Sequence, residues 1–438
     1  MGRAHDMPMS RRTFLRLAGL GAGVAGLSAC GNSSLDQIAA QSGTDAYNTR
    51  DITLSWWGND PRHQYMLEGI ELFEKKHPDI YVTPSYGVWN GYERRYHILM
   101  MSSNETDVMQ INYVWLRRYS EDGTGYYDLN DLRDVIDLSN FEESDLSCGM
   151  RGDHLNALPI AYNTTVFLYN KDIYDRYDLA YPTSWDELFA AAETMRGDGV
   201  YPTGTIYKQL ILAVNAWYEQ TTGNKIFTGE GKYAADAAAM ADILTFIQRV
   251  FDEKAMANPN DFDSNAFAGD TTAGVMCWAS DVTRYIESAE GAGVTIELGD
   301  FLSADGSGQG GWYVKPATMY AISKLSASPE DAAVLMDFLL NDPDFALLQG
   351  NEKGVPVSAS ALKALRDADA LTGLEWEAGD AIHRSLGSME MINPLLEDED
   401  VQKAISDACD KCYFGRSTIE AAAAELNDAL AKVAEADE

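Results

Sequence analysis

Apolar and polar residues follow one another along the chain in a pattern that predicts short strands alternating with helices. The apolar run 52–57 predicts a buried strand. A helix should begin just after it, because Asp60 is a suitable N-cap and Pro61 suits the first helical position. Apolar residues then recur at helical spacing until Pro78, which precedes a second strand at 80–83. The folded part of the chain therefore opens as strand, helix, strand.

The same alternation continues to the end of the chain. Ser184 and Glu187 have the spacing of a capping box, in which two side chains satisfy the free N–H groups of a helix start. Further strands are predicted at 108–111, 158–162 and 166–169, and further helices at 185–195, 328–340 and 418–433. Interleaved strands and helices predict an α/β fold with mostly parallel sheets, and no internal repeat is present.

The first residues resemble an export signal. Arg11 and Arg12 precede Phe14 at the spacing of a twin-arginine signal, and a short apolar stretch rich in glycine and alanine follows at 17–29. That stretch is too short to span the hydrocarbon core of a membrane. The pattern indicates that the chain is exported from the cytoplasm.

The end of this stretch resembles a bacterial lipobox. Residues 27–30 read LSAC, and in a lipobox the signal is cut before the cysteine, which is then acylated. We therefore expect a signal peptide at 1–29 and a lipidated Cys30. The polar segment 30–50 shows no apolar periodicity and is expected to be a flexible tether.

The charge balance excludes nucleic acids as partners. The 438 residues contain 33 Lys and Arg against 68 Asp and Glu, a net charge of −35, which repels phosphate backbones. An apolar fraction of 46% is that of a folded globular protein, and the length allows two domains. Outside the cytoplasm disulfides are permitted, but the sequence leaves open the pairing of Cys148, Cys277, Cys409 and Cys412.

Motifs for catalysis, metals and cofactors are incomplete. The six histidines lack the spacing of a zinc motif, and the nucleophile elbow of hydrolases is missing. A glycine pattern at 306–311 has no helix behind it to hold a phosphate. A calcium-like stretch beginning at Asp261 has Ala266 where the loop needs glycine. We therefore assign no catalytic residue, no metal and no cofactor.

Tryptophan residues stand where the predicted elements end. In α/β sheets the loops beyond the carboxyl ends of the strands form the ligand crevice. A neutral sugar stacks its C–H faces on aromatic rings, and its hydroxyls pair with planar polar side chains. Each tryptophan alone is equally well explained as a core residue, but several at strand ends favour a sugar site. These residues are Trp57, Trp89, Trp115, Trp278 and Trp312.

A series of short motifs matches one protein family. The most specific stretch runs from 158 to 188 and contains LPIAYN, LYNKD and PTSWDEL in that order. The family's P-D-V strand is present with Thr106 in place of proline. The opening strand, the stretch 73–82, the stretch 354–358 and the final helix complete the match. Over nearly all of the mature chain, the sequence resembles the family 1 extracellular solute-binding proteins of ABC transporters.

The resemblance implies a two-lobed, flytrap-like α/β fold, with a ligand cleft between discontinuous lobes. The expected lobes are 51–160 plus 281–338, and 161–280 plus 339–438. The chain would cross between them near 158–162, 279–281 and 337–340. Closure by hinge motion is driven only by the ligand's differential affinity for the closed state.

The resemblance also implies a function without catalysis. The protein would capture a carbohydrate, expected to be a neutral oligosaccharide, and deliver it to the permease subunits of an importer. It would be a monomer on the outer face of a bacterial cytoplasmic membrane, held by its lipid anchor alone. The ligand-binding residues carried over, of which Trp115 and Trp312 rank first, are Asp60, Arg62, His63, Trp89, Asn112, Tyr113, Trp115, Tyr162, Asn163, Trp278, Asp281, Gly311 and Trp312.

Two other functions stay open at this point. An anchored glycan hydrolase could use two of the 68 acidic residues, since sequence spacing does not reveal the distance between carboxylates. A receptor for a cationic solute, such as a polyamine or a metal ion, would gain from the negative charge, and the same field disfavours strongly anionic sugars. At single positions, Asp60 has a competing role as a helix cap and His63 as a surface residue.

Overall fold

The computed structural model describes residues 50–229, 231–263, 269–305, 310–350, 352–385 and 389–436. The expected signal peptide 1–29, Cys30 and all of the expected tether except Arg50 lie outside the described residues. Ala266 and most of the glycine pattern 306–311 also lie outside them.

The described strands, in chain order, are β1 (Arg50–Trp57), β2 (Ile80–Gly87), β3 (Val108–Ile111), β4 (Met150–Arg151), β5 (His154–Leu155), β6 (Ala157–Asn163), β7 (Thr165–Asn170), β8 (Phe227–Thr228), β9 (Lys232–Tyr233), β10 (Gly274–Trp278), β11 (Ile296–Gly299), β12 (Tyr313–Ile322) and β13 (Glu390–Met391).

The described α-helices are α1 (Asp60–Lys76), α2 (Tyr92–Met101), α3 (Val114–Tyr119), α4 (Glu143–Ser147), α5 (Lys171–Arg176), α6 (Trp185–Met195), α7 (Tyr207–Thr222), α8 (Ala237–Asp252), α9 (Val282–Ala292), α10 (Pro329–Asn341), α11 (Pro343–Gln349), α12 (Ala359–Asp367), α13 (Gly373–Ser385), α14 (Glu399–Tyr413) and α15 (Ile419–Ala436).

The predicted elements are present close to their expected bounds, and one cap is different. β3 and α6 have the bounds that the sequence predicts, and Ser184 caps α6 by accepting from the backbone N–H of Glu187 at 3.2 Å. The prediction that Asp60 caps α1 is wrong. Asn59 has the extended backbone of a cap, and its side chain accepts from the N–H of Arg62 at 3.2 Å. Asp60 is the first helical residue.

The larger sheet combines parallel and antiparallel strands. β1 lies between β2 and β3 and is parallel to both. β12 pairs antiparallel with β3 on one side and with β6 on the other, and its first residues pair parallel with β13. The long strand β12 therefore joins the parallel opening of the chain to strands from its middle and end.

The second sheet has three strands in the order β10, β7, β11. Both of its pairings are antiparallel, so the expectation of mostly parallel sheets is wrong here. The parallel arrangement of an α/β fold needs a crossover helix between paired strands, whereas antiparallel neighbours do not. β7 follows β6 after the single residue Thr164, so the chain passes from the larger sheet to the second one at that point.

Two contacts of later elements concern the expected lobe boundaries. β11, which lies within 281–338, pairs along β7 and satisfies the backbone of that strand's second edge. α10 continues unbroken through 337–340, and α11 then packs on α1, where Phe345 contacts Tyr65 with ring centroids 6.2 Å apart. The lobe boundaries and the crossings expected from the sequence stay predictions.

The four cysteines whose pairing the sequence left open are all free, and Cys148, Cys277 and Cys409 are buried. In the part of the chain that the structure describes, no helix combines the length and the apolar character needed to cross a membrane.

Candidate functional site

A cavity of about 250 Å³ opens where side chains from both sheets meet. Its wall combines tryptophan rings, amides, hydroxyls and four basic side chains. The lining residues are Trp57, Arg62, Trp89, Gln110, Asn112, Asn163, Lys208, Trp278, Ser280, Asp281, Lys315, Ala317, Thr318 and Lys353.

The carboxyl ends of strands form much of this wall. Trp57 is the last residue of β1, Asn112 directly follows β3, and Trp278 ends β10. Arg62 comes from the first turn of α1, which begins two residues after β1. Parallel neighbours such as β1 and β3 end at the same sheet edge, so their terminal residues come together there.

An irregular stretch of β12 turns extra side chains toward the cavity. Lys315 lies opposite Asn163 on β6, and the pairing then shifts around Ala317, which has no partner of its own. Such a bulge inserts one residue and redirects the side chains beside it. Ala317 and Thr318 both line the cavity as a result.

Three tryptophan rings form a layered aromatic wall. Trp89 is 44% exposed, and it packs on Trp57 and Trp115 with centroid distances of 5.1 and 6.1 Å. The rings of Trp89 and Trp115 are nearly parallel, at 11°. Because the rings behind it hold Trp89 in place, its outer face is a prepared platform for a flat apolar surface.

The fourth tryptophan of this region, Trp278, has a different environment. The Nζ atoms of Lys315 and Lys208 lie 4.5 and 5.7 Å from its ring centroid. Ammonium groups at this distance are attracted to the negative face of an indole ring. Trp278 therefore stabilises two cations, which leaves stacking on a ligand mainly to Trp89.

Lys208 and Lys315 share one buried carboxylate. Glu397 accepts from Lys208 at 2.8 Å and from Lys315 at 2.6 Å. Burial alone would raise the pKa of Glu397, but the two ammonium groups outweigh it and hold the pKa at about 2. Burial lowers the pKa of Lys315 to about 8, although Glu397 opposes this shift. The three groups form a compact charge network behind the cavity wall.

Lys353 is the most isolated cation of the wall. The residue is 3% exposed, and its Nζ donates to Gln110 Oε1 at 2.7 Å and to the Tyr320 hydroxyl at 3.2 Å. Burial, followed by the charge of Arg62, holds the pKa of Lys353 well below its ordinary value. Gly354 permits this placement: its φ of +97° and its close approach to Tyr162 suit glycine.

The cavity also contains polar atoms with no hydrogen-bond partner among the described residues. Asn112 Oδ1 and Thr318 Oγ1 are buried and make no hydrogen bond to any other described group. Unpaired buried polar atoms cost free energy, so they are expected where a ligand completes them. The side chain of Asn163, in contrast, is hydrogen-bonded on both sides of its amide: it donates to the Ser280 hydroxyl at 3.0 Å and accepts from the Ser280 backbone N–H at 3.2 Å.

The cavity brings together part of the residue set expected from the sequence. Those that line it are Arg62, Trp89, Asn112, Asn163, Trp278 and Asp281.

The two residues ranked first are not among them, because both lie in the core. Trp115 is fully buried beneath Trp89, and its ring stacks on Tyr96 at 4.3 Å. Trp312 is 2% exposed, and its indole N–H donates to the backbone carbonyl of Leu302 at 2.7 Å. Both indoles pack against other rings, and neither lines the cavity.

Five more of the expected residues lie elsewhere. Tyr162 is buried, and its hydroxyl donates to Asp145 at 2.7 Å. Gly311 packs with a φ of +76° against the backbone of α7. The Nδ1 atom of His63 accepts from the indole N–H of Trp56 at 3.2 Å, which requires the tautomer with Nδ1 unprotonated. Asp60 is exposed, and Tyr113 lines a different cavity.

Several lining residues were not expected from the sequence. They are Gln110, Lys208, Ser280, Lys315, Ala317, Thr318 and Lys353. Trp57 also lines the cavity; it was noted as a strand-end tryptophan but was not carried over as a ligand-binding residue. The sequence does contain a signal for Lys315, because a charged residue within a mostly apolar strand is unusual. Lys353 precedes the glycine of the motif at 354–358, but nothing in the sequence shows that its side chain is buried.

A second cavity, of about 310 Å³, is less suited to a ligand. Among its basic residues, Lys225 is paired with Glu390, and Arg151 donates to the backbone carbonyls of Ser120 and Glu121 at 3.3 Å. No group of three or more potential metal ligands occurs among the residues that the structure describes. The first cavity is therefore the candidate ligand site.

Comparison with known families defines the class of protein. The family model of the bacterial extracellular solute-binding proteins matches residues 59–344, well over half of the chain. The chain belongs to this family.

Solved structures support the same assignment. A periplasmic solute-binding protein from Pectobacterium atrosepticum is 25% identical, with a TM-score of 0.83 over 89% of this chain and 100% of that one. A periplasmic oligogalacturonide-binding protein from Yersinia enterocolitica, solved with saturated digalacturonic acid, is 26% identical, with a TM-score of 0.81 over 88% and 99%. An ABC substrate-binding protein from Listeria monocytogenes shares the fold at 18% identity and a TM-score of 0.70, over 88% and 99%. The predicted two-lobed α/β fold is confirmed.

Proposed function

We propose that this protein is the carbohydrate receptor of an ABC importer, which binds a sugar in the cavity between the sheets and delivers it to the permease. The observation that carries this proposal is the combination of the exposed Trp89 platform with the unpaired Asn112 Oδ1 and Thr318 Oγ1. A sugar offers both an apolar C–H face and hydroxyl groups. The similarity to an oligogalacturonide-binding protein supports a carbohydrate as the ligand class.

The same cavity supports closure around the ligand. Trp89 and Asn112 come from the loops of the larger sheet, whereas Trp278 ends β10 of the second sheet and Asp281 follows it. A sugar that touches both sides stabilises the arrangement in which they are close, and only this difference in affinity drives the motion.

The two alternative functions receive less support. Asp281 is the one carboxylate in the described wall of this cavity, whereas glycoside hydrolysis normally needs two flanking carboxylates. A cationic solute would meet Arg62, Lys208, Lys315 and Lys353, which repel it. The wall of the cavity is therefore basic, although the chain as a whole is acidic.

Thermal unfolding with a panel of oligosaccharides tests the proposal. A ligand that binds only the native state at 100 times its Kd adds about 2.7 kcal/mol of stability, which raises the unfolding midpoint. We expect a rise with one group of sugars and none with polyamines or divalent metal ions. Chromatography of the sugar afterwards should show no cleavage. A midpoint that responds only to polyamines or metals, or a sugar that is consumed, would contradict the proposal.

Replacing Trp89 by Ala should weaken sugar binding with little effect on folding. Stacking on an aromatic ring contributes about 0.5–1.5 kcal/mol beyond the buried area, so its loss alone should lower affinity about two- to tenfold. Titration calorimetry with the sugar found in the panel measures this. Phe414, which is also exposed, provides the control Phe414→Ala, for which affinity should stay unchanged.

We also propose that the mature protein is acylated at Cys30 and held at the outer face of the cytoplasmic membrane. The lipobox resemblance of 27–30 supports this. Replacement of Cys30 by Ser should shift the protein from the membrane fraction to the soluble fraction, because one acylated residue is its expected anchor. Equal membrane retention of both forms would argue against lipidation.

A further inference from the structure

The charge of the cavity wall has the opposite sign to the charge of the chain. The chain has a net charge of −35, whereas the described wall contains Arg62, Lys208, Lys315 and Lys353 against the single carboxylate of Asp281. Glu397 lies behind the wall and neutralises part of this charge through Lys208 and Lys315. Four basic residues thus meet at one place in an acidic protein.

Lys353 is the group whose charge is least compensated. Its two hydrogen-bond partners, Gln110 and Tyr320, are neutral, and no described carboxylate forms an ion pair with it. The nearest cation, Arg62, makes its position less favourable. A buried ammonium without a counterion is costly, and a protein retains such a group where something else supplies the opposite charge.

Arg62 also has capacity for an anion. Its Nε and Nη2 donate to the backbone carbonyl of Glu352 at 3.0 and 2.7 Å, which fixes the guanidinium beside the cavity. The carboxylate of Glu352 forms an ion pair with Nε at 4.0 Å, a distance too long for a hydrogen bond, and compensates part of the charge of Arg62. The guanidinium lines the cavity, and its hydrogen bonds to the protein go to a neutral carbonyl.

We infer that the sugar taken by this cavity is acidic, and that its carboxylate binds at Lys353 and Arg62 as the counterion that the protein lacks there. The inference rests on the proposed function, since it specifies the sugar. A neutral sugar would leave Lys353 uncompensated and would further reduce its access to water. An acidic sugar places a carboxylate at the basic side of the cavity and keeps its C–H face for Trp89.

Matched ligand pairs test the inference without any mutation. Di- and trimers of galacturonate and of glucuronate are titrated by calorimetry, each beside its methyl ester, which has nearly the same shape and no charge. Neutral di- and trisaccharides complete the panel. A hydrogen bond to a charged group is worth more than a neutral one, so the free acid should bind about 10- to 100-fold more tightly than its ester. Equal or tighter binding of the ester overturns the inference.

A lysine variant locates the carboxylate. Lys353→Met should reduce affinity for the free acid at least tenfold, and affinity for the ester less than threefold. Lys403→Met is the matched control, because Lys403 is 69% exposed on α14 and its loss changes the net charge equally. If Lys353→Met does not fold, as judged by thermal unfolding, Arg62→Gln takes its place with the same expectation. If the folded variant still prefers the free acid to its ester to the same degree, the carboxylate of the sugar does not bind at this position.

The outcomes separate this inference from the proposed function. Binding of neutral sugars alone leaves the carbohydrate receptor intact and overturns the acidic specificity. Binding of no carbohydrate in the panel contradicts both. Binding of uronic acids with loss in Lys353→Met, and not in Lys403→Met, supports both.

Discussion

Replacement of Trp312 by Ala will destabilise the protein by about 3–5 kcal/mol, the usual cost of removing a buried indole, and will leave the affinity for sugar within about twofold of the wild type. The ring contacts Phe167 edge-on at 5.6 Å and stacks on Trp185 at 6.2 Å, and its N–H bonds to Leu302. The loss therefore creates a cavity in the core and removes one of two donors to the Leu302 carbonyl, which also accepts from Gln220 at 3.1 Å.

Chemical denaturation measures the first effect and calorimetry the second. Trp89→Ala is the matched control, since it makes the same chemical change at a ring that is 44% exposed. The two variants should show opposite patterns: a large loss of stability with intact binding for Trp312, and weak binding with intact stability for Trp89. A Trp312 variant that folds normally but loses the ligand would restore the ranking that the sequence predicts.

Replacement of Glu397 by Leu should destabilise the protein by about 3–5 kcal/mol, because it leaves the buried ammonium of Lys315 and the half-buried one of Lys208 without their counterion. The side chain of Glu397 is 1% exposed, and that of Lys315 is 7% exposed, so water cannot replace the carboxylate. Adding Lys315→Met should recover part of the lost stability. Glu390→Gln, at a pair whose glutamate is 67% exposed, is the control and should change stability by less than about 1 kcal/mol.

The effect of Glu397 should depend on pH. Its pKa in the folded protein, about 2, lies below the ordinary value of 4.5. A carboxyl group whose pKa is lower in the folded state stabilises that state fully at any pH above its pKa in the unfolded chain. This stability is lost as the pH falls through its pKa in the folded protein. The difference in unfolding free energy between wild type and Glu397→Leu should therefore shrink as the pH falls from about 4.5 to 2. A difference that stays constant over this range would show that Glu397 acts through packing and not through charge.

Periodicity was sufficient to predict most of the fold. Helix α6 and strand β3 are set by local patterns, a capping box and a short apolar run, which act within a few residues. The pairing of β11 with β7 was not predictable in this way, because two antiparallel edges more than 100 residues apart leave no local signal.

The lining of the candidate cavity agrees with the sequence at some strand ends and differs where burial decides. Asn112 and Trp278 stand at strand ends and line the cavity, whereas Trp115 and Trp312 stand at similar places but point into the core. Position relative to a strand end does not fix the direction of a side chain. Lys353 and Lys315 were missed because a lysine is expected at the surface, and only tertiary packing shows that they face the cavity.

The contrast between an acidic chain and a basic cavity bears on the kinetics of capture. For an acidic sugar, the field of the whole molecule is repulsive at a distance, whereas attraction begins only near the opening, within about one Debye length. Added salt then screens the repulsion and quickens association, while the contact at Lys353, buried from solvent, is screened much less. Most electrostatically assisted receptors slow down in salt. This one would exclude bulk polyanions and admit a short oligomer once its charge has reached the cavity.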